Sequence, residues 1–152
     1  MLLDLTILGE PVGQGRPRAV RVGPMVRIHP AKKSAEWEAL AAQQMAAAWG
    51  ARAPHAGPVE LHVLVLCARP KTTPKRAGVG RAWHVAKPDL SNVVKSVEDA
   101  LVKAGVLRDD ALVAALQARS YVAAADESPR VRLQLRELVA LEVVPARARA
   151  RR

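Results

Sequence analysis

The chain has 152 residues, with 24 Lys and Arg against 14 Asp and Glu, so its formal net charge is +10. Such a field favours nucleic acid or another anionic surface as partner. The single cysteine, Cys67, excludes an intramolecular disulfide and fits a reducing compartment. No apolar run approaches the roughly 18 residues of a membrane span, and Met1–Ile7 is too short and too polar at Asp4 for a leader. A cytoplasmic protein with no membrane partner is expected. With no Phe and one Tyr, the core must come from Val, Leu and Ala. Burying enough area with these side chains calls for a sheet covered by helices. The length fits one domain.

Residues 2–8 (LLDLTIL) read as a first strand, ended by Gly9-Glu10-Pro11. Residues 11–30 are rich in Gly and Pro and carry Arg16, Arg18, Arg21 and Arg27. The run 13–18 (GQGRPR) is incompatible with regular structure, because Pro17 lacks an N–H and holds Arg16 extended. A short strand is predicted at Met25–Ile28. The guanidinium groups of this loop suit phosphate oxygens. Residues 31–50 predict a helix, with Ser34 as N-cap, Trp37, Leu40, Ala41, Met45, Ala48 and Trp49 at helical spacing, and Gly50 at the C-terminus.

Residues 51–58 read as a linker. Val59–Ala68 is so nearly continuous in apolar character that a central strand buried on both faces is expected. His62 within it is read as structural. Residues 69–86 form a long loop with Lys71, Lys75, Arg76 and Arg81, followed by Trp83. Basic residues beside an indole suit DNA or RNA, since charge grips the backbone and the ring stacks on a base. Equally, Trp83 can anchor the loop to the core. A second helix spans 89–104, a strand Leu112–Ala123, a turn 126–129 and a last strand Val131–Leu141. The basic end, 143–152, reads as a disordered tail behind a domain of residues 1–142. The order β-β-α-β-α-β-β makes an α+β domain, one mixed sheet with two helices packed on it.

The chemistry concentrates in residues 87–110, KPDLSNVVKSVEDALVKAGVLRDD. Asp89 or Ser91 can cap the helix. At 100° per residue, Leu90, Val93, Val94, Val97, Ala100, Leu101 and Ala104 share one side. Ser91, Asn92, Lys95, Ser96, Glu98, Asp99 and Lys103 share the other. Gly105 stops the helix and the chain runs on to Asp109-Asp110. If it folds back there, Asp89 and Asp110 can share a divalent ion, because carboxylates are the hard oxygen donors Mg²⁺ prefers. Lys95 then stabilises charge on a phosphate. The alternative is a capped helix with solvated charged ends.

The run Lys87-Pro88-Asp89-x-x-Asn92-x-x-Lys95, then Asp99-Ala100-Leu101, Gly105 and Asp109-Asp110, resembles the signature of RusA-type Holliday junction resolvases, common in phages and prophages. Gly15-Arg16-Pro17-Arg18 resembles a segment of many phage members. The likeness covers most of residues 5–137. It implies a homodimeric, Mg²⁺-dependent endodeoxyribonuclease, with Mn²⁺ as substitute ion, that cuts four-way DNA junctions by paired nicks in recombination and repair. Carried over, the catalytic residues are Asp89, Lys95 and Asp110, with Asp109 adjoining. The metal ligands are Asp89 and Asp110, with Ser91, Glu98 and Asp99 as further candidates. Lys87, Asn92 and Lys95 join Arg16, Arg18, Arg21, Arg27, Lys71, Lys75, Arg76 and Arg81 as expected DNA contacts. Ser91 stands where the family pattern has Asp. A hydroxyl brings no charge, so the alternative is a structure-selective DNA-binding protein of the same fold with weak or lost catalysis.

Overall fold

The computed structural model describes residues 1–15, 18–29, 31–71 and 80–139, with backbone only for 18–20, 22 and 26–29. The elements among the described residues are β1 (Leu3–Leu8), β2 (Arg18–Val22), β3 (Met25–His29), α1 (Lys32–Trp49), β4 (Val59–Cys67), β5 (Ala82–Trp83), α2 (Leu90–Lys103), a 3-10 turn (Asp110–Leu112), β6 (Val113–Val122) and β7 (Arg130–Glu137). The five-stranded sheet has the order β1-β7-β4-β6-β5. Only β4 and β6 run parallel within it, and α2 lies in the connection between them, as a parallel pair requires. This is the expected mixed α+β sheet with two helices.

Two elements depart from the expected order. β2 pairs with β3 as a separate antiparallel hairpin, Arg18 opposite His29 and Val22 opposite Met25. The Gly- and Pro-rich segment read as loop thus holds a strand, and Gly23, at φ 63°, makes the turn. β5 adds a two-residue edge strand inside the segment read as one long loop. Its register is Ala82 opposite Val122 and Trp83 opposite Tyr121.

Alternation decides which face is core. On β4, Val59, Leu61, Val63, Val65 and Cys67 are buried under the helices. Val131, Leu133 and Leu135 of β7 and Leu3 and Ile7 of β1 join them, because register brings them to the same side. Each fully buried Val or Leu contributes roughly 1.5–3 kcal/mol. Glu60, His62 and Leu64 face the other way and are only half-buried. The expectation that β4 is buried on both faces is therefore wrong for this stretch. Glu and His at alternate positions mark a face that no helix covers. His62 Nε2 stands 2.9 Å from Glu60 Oε1, in keeping with a structural histidine.

Both helices show local corrections. α1 has Ala31, not Ser34, at its N-cap. Ser34 is buried inside the first turn, and its hydroxyl accepts the Gly15 N–H at 3.2 Å. Leu40, assigned to the apolar stripe, is exposed. On α2, Ser96 lies on the side read as polar yet is 1% exposed. The helix packs against α1 as well as the sheet, so its buried arc is wider than the apolar stripe. Ser96 Oγ is satisfied by donating to the Asn92 carbonyl at 3.2 Å.

Candidate functional site

The site is built where α2 begins and where the chain returns into β6. Asp89 is the N-cap residue of α2, extended at φ −66°, ψ 139°. Its carboxylate makes no capping bond and instead takes Asn92 Nδ2 at 3.3 Å. The acid at the helix head is exposed, beside the helix's free N–H groups. Ser91, also exposed, follows in the first turn.

The far end of α2 is turned by a backbone clamp. Gly105 adopts φ 69° and stops the helix, as expected. Val106 and Leu107 are then buried. His55, in the stretch read as a linker, donates its N–H to the Val106 carbonyl at 2.9 Å and accepts the Arg108 N–H at 3.0 Å. With 106–108 held, Asp109 and Asp110 enter β6 in one orientation. Asp109 accepts the Ala111 N–H at 2.8 Å, so its carboxylate builds the 3-10 turn. Asp110 reaches back to α2 and forms a direct hydrogen-bonded ion pair with Lys95.

Lys95 is the meeting point. Its Nζ also lies 3.4 Å from Asp99 Oδ1, one helical turn on. The other Asp99 oxygen accepts Gln14 Nε2 at 2.6 Å. Gln14 belongs to the Gly13–Gly15 segment, which lies against α2, with the Gln14 N–H bonded to the Asn92 carbonyl at 2.9 Å. The close approach needs glycine. A Cβ on Gly13 would sit 3.0 Å from Asn92 Cβ, and one on Gly15 would sit 2.3 Å from Ala31 Cβ. The chain Gln14–Asp99–Lys95–Asp110 thus links the N-terminal segment, α2 and the start of β6.

The electrostatics follow from these contacts. The Lys95 ammonium holds the Asp110 carboxyl below the usual carboxylate range, and the same hydrogen bond to Asp110 raises Lys95. Glu98 is half-buried, and burial pushes its carboxyl up.

The expected site residues do not all meet. Asp89, Asn92 and Lys87 line one open cleft of about 790 Å³, together with Gln14 and Lys33. Asp99, Asp109 and Asp110 line another of about 320 Å³ with Lys103. Among the described residues no three His, Cys, Asp or Glu stand close enough to form a metal-holding group. The donors that do converge are of the right kind for Mg²⁺, since Asp99 and Asp110 are oxygen ligands gathered on one cation, Lys95. Of the expected DNA contacts, Arg16, Lys75 and Arg76 lie outside the described residues, and Arg18 and Arg27 are described in backbone only. Arg21 and Lys71 are exposed. Arg81 is tied to Glu127 in a two-point ion pair, which leaves its guanidinium engaged within the protein. Gln14 and Lys33 were not singled out from sequence. Their signal was proximity, in chain, to the basic Gly-rich run and to the start of α1.

A basic α+β domain with carboxylates and a lysine gathered at one corner has the charge and the oxygen donors that chemistry on nucleic acid requires. The model of the family described as "Endodeoxyribonuclease RusA" matches residues 9–136, from the end of β1 into β7. The chain belongs to the RusA endodeoxyribonuclease family, whose members hydrolyse DNA at junctions. It is also 33% identical over 150 residues to the "Uncharacterized protein YqaN" of Bacillus subtilis (strain 168), covering 91% of this chain and 98% of that protein. No helix among the described residues is long and apolar enough to cross a membrane.

Proposed function

We propose that the protein is a Mg²⁺-dependent, structure-specific endonuclease that resolves four-way DNA junctions by paired nicks, working as a homodimer. The observation that carries this reading is the Lys95–Asp110 contact, which joins α2 to the start of β6 inside the family match. Asp89 and Asp110, which line separate clefts, would have to close on the ion to hold it between them, with the Ser91 hydroxyl and Asp99 as further oxygen donors and Mn²⁺ as substitute ion. When bound, the ion polarises a phosphodiester and supplies a nucleophile at neutral pH.

The chain's own residues do the rest. Lys95 carries a fixed positive charge where a scissile phosphate gains negative charge. Asp99, held by Gln14, keeps the ammonium on that side of α2. Lys33 and Lys87 line the cleft beside Asp89 and attract the phosphate backbone. Two such sites related by a twofold axis match the twofold symmetry of a four-way junction.

A second reading has its own observation. Ser91 brings no charge where the family pattern has Asp, and no three-acid group forms among the described residues. On that reading the protein selects junctions without cutting them well. Incubating a synthetic four-way junction and a matched linear duplex with the protein, with and without Mg²⁺, separates the two. The nuclease reading expects metal-dependent nicks in the junction alone, lost in Asp89→Asn and Asp110→Asn with binding retained. If the wild type binds without nicking and Ser91→Asp then nicks, the second reading stands. Wild-type cutting rates in either Asn variant would remove these residues from the site.

A further inference from the structure

The face of the sheet away from the helices carries a feature that the corner at Asp110 does not use. Strand parity puts Gln117, Arg119 and Tyr121 of β6 on that face beside His62, Leu64 and Leu66 of β4. At its β5 end, Trp83 stacks on Tyr121 with ring centroids 4.7 Å apart and planes 25° from parallel. The other tryptophans, Trp37 and Trp49, are core residues at 7% and 5% exposure, whereas Trp83 is 68% exposed. One indole face is taken by Tyr121 and the rest is open to solvent.

The pair is held by strand pairing. Trp83 is in register with Tyr121 across β5 and β6, and the next residue, His84, donates its N–H to the Ser120 carbonyl at 3.2 Å. The His84 ring Nδ1 also lies 3.3 Å from Ser120 Oγ. An exposed indole fixed by backbone bonds loses little entropy when a ligand stacks on it.

The charge beside it is available. Arg119 precedes Tyr121 by two residues on the same face, roughly 7 Å away. Arg119 is exposed, and among the described residues no carboxylate pairs with it. It opens onto a shallow cavity of about 210 Å³ that also takes His62 and Arg132 into its wall. Arg132 is partly neutralised by Asp4, whereas Arg119 has no carboxylate partner among the described residues.

We infer that Trp83, Tyr121 and Arg119 form a second DNA-binding site, in which an unpaired nucleobase stacks on Trp83 and its backbone phosphate meets Arg119. That the nucleic acid is DNA rests on the function proposed above. The occupant is single-stranded because only an unpaired base offers its flat face to an indole. At a branch point such bases are within reach of a protein bound to the junction.

The test uses the full chain in chelator, without divalent ions, so it does not depend on nicking. An oligothymidylate of about ten nucleotides is titrated while tryptophan emission is followed, and the affinity is measured separately by anisotropy of a labelled oligonucleotide. Saturable quenching is expected. Trp83→Leu abolishes the quenching and weakens binding about tenfold, and Trp83→Phe restores most of the affinity. Arg119→Ala weakens binding and lowers the salt slope by about 0.7. Circular dichroism melting checks that each variant is folded, and the Arg119 variant decides the matter if Trp83→Leu is not. Wild-type affinity in Trp83→Leu or in Arg119→Ala overturns the site. So does an emission change that follows protein concentration without DNA, which makes this face an interface between copies. Tighter binding of oligouridylate than of oligothymidylate overturns the DNA assignment in favour of RNA. A protein that passes this test but nicks no junction loses the nuclease reading alone.

Discussion

The two ends of β6 work by different physics. At its start, Asp110 meets Lys95 in a corner where charge opposes charge. Near its other end, roughly 26 Å along the strand from Val113, Tyr121 supports an exposed indole beside the exposed guanidinium of Arg119. The first end is assembled from three distant parts of the chain, with Gln14, Asp99 and Asp110 gathered through Lys95. The second is a local product of strand pairing and two-residue periodicity. A charge network tolerates little change in its members, whereas a stacking platform degrades in steps.

That contrast can be broken by mutation. Asp110→Asn is expected to cost about 10²–10³ in junction cleavage, the scale of losing one placed electrostatic group, while oligothymidylate binding stays at wild type. Gel assays of nicking beside fluorescence titration check both halves. A matched loss in the two assays would mean that the ends of β6 are one site. Gly15→Ala should act next most strongly. The new Cβ collides with Ala31, so the Gly13–Gly15 segment must shift and Gln14 loses its grip on Asp99. Destabilisation of about 1–3 kcal/mol is expected by urea unfolding, with a fall in cleavage and none in Trp83 quenching. Trp83→Leu reverses the pattern, with weaker single-strand binding and an unchanged cleavage rate at saturating junction.

The smallest effect concerns acid. Glu127 is drawn down from 4.5 to about 2, first by its hydrogen bonds from Arg81, then by the Ala124 N–H. Its folded value lies below its unfolded one. The contribution to stability is therefore present above about pH 4.5 and is lost as pH falls towards 2. Carbon-detected NMR titration should place the Glu127 carboxyl at about 2, well below the ordinary glutamate range. Arg81→Ala should return it towards 4.5 and loosen β5 without touching Asp110.

How far the sequence spoke depended on the range of each contact. The apolar stripe of α2, its stop at Gly105, the β4, β6 and β7 strands and the alternation of the last strand follow from local periodicity, and the structure keeps them. The Lys95–Asp99 pair spans one helical turn, yet periodicity in the sequence places the two residues only on the same polar side. Where local rules failed, a distant partner had intervened. Ser34 leaves the capping role because Gly15, 19 residues earlier, takes its hydroxyl. Ser96 is buried because α1 closes over the flank of α2. Residues 18–22 form a strand despite the surrounding Gly and Pro because residues 25–29 supply their hydrogen bonds.

The sequence by itself determined that the chain is a basic α+β domain, and it gathers the acids and the lysine of the proposed site within residues 87–110. Composition, helical period and turn residues act within a few positions of one another, and one string shows them. Tertiary structure alone decided that Gln14 reaches Asp99 across 85 residues, that Asp89 and Asp110 line separate clefts, and that β4 is only half covered on one face from Glu60 to Leu64. Those outcomes depend on which elements pack together and in what register, and no local propensity encodes either.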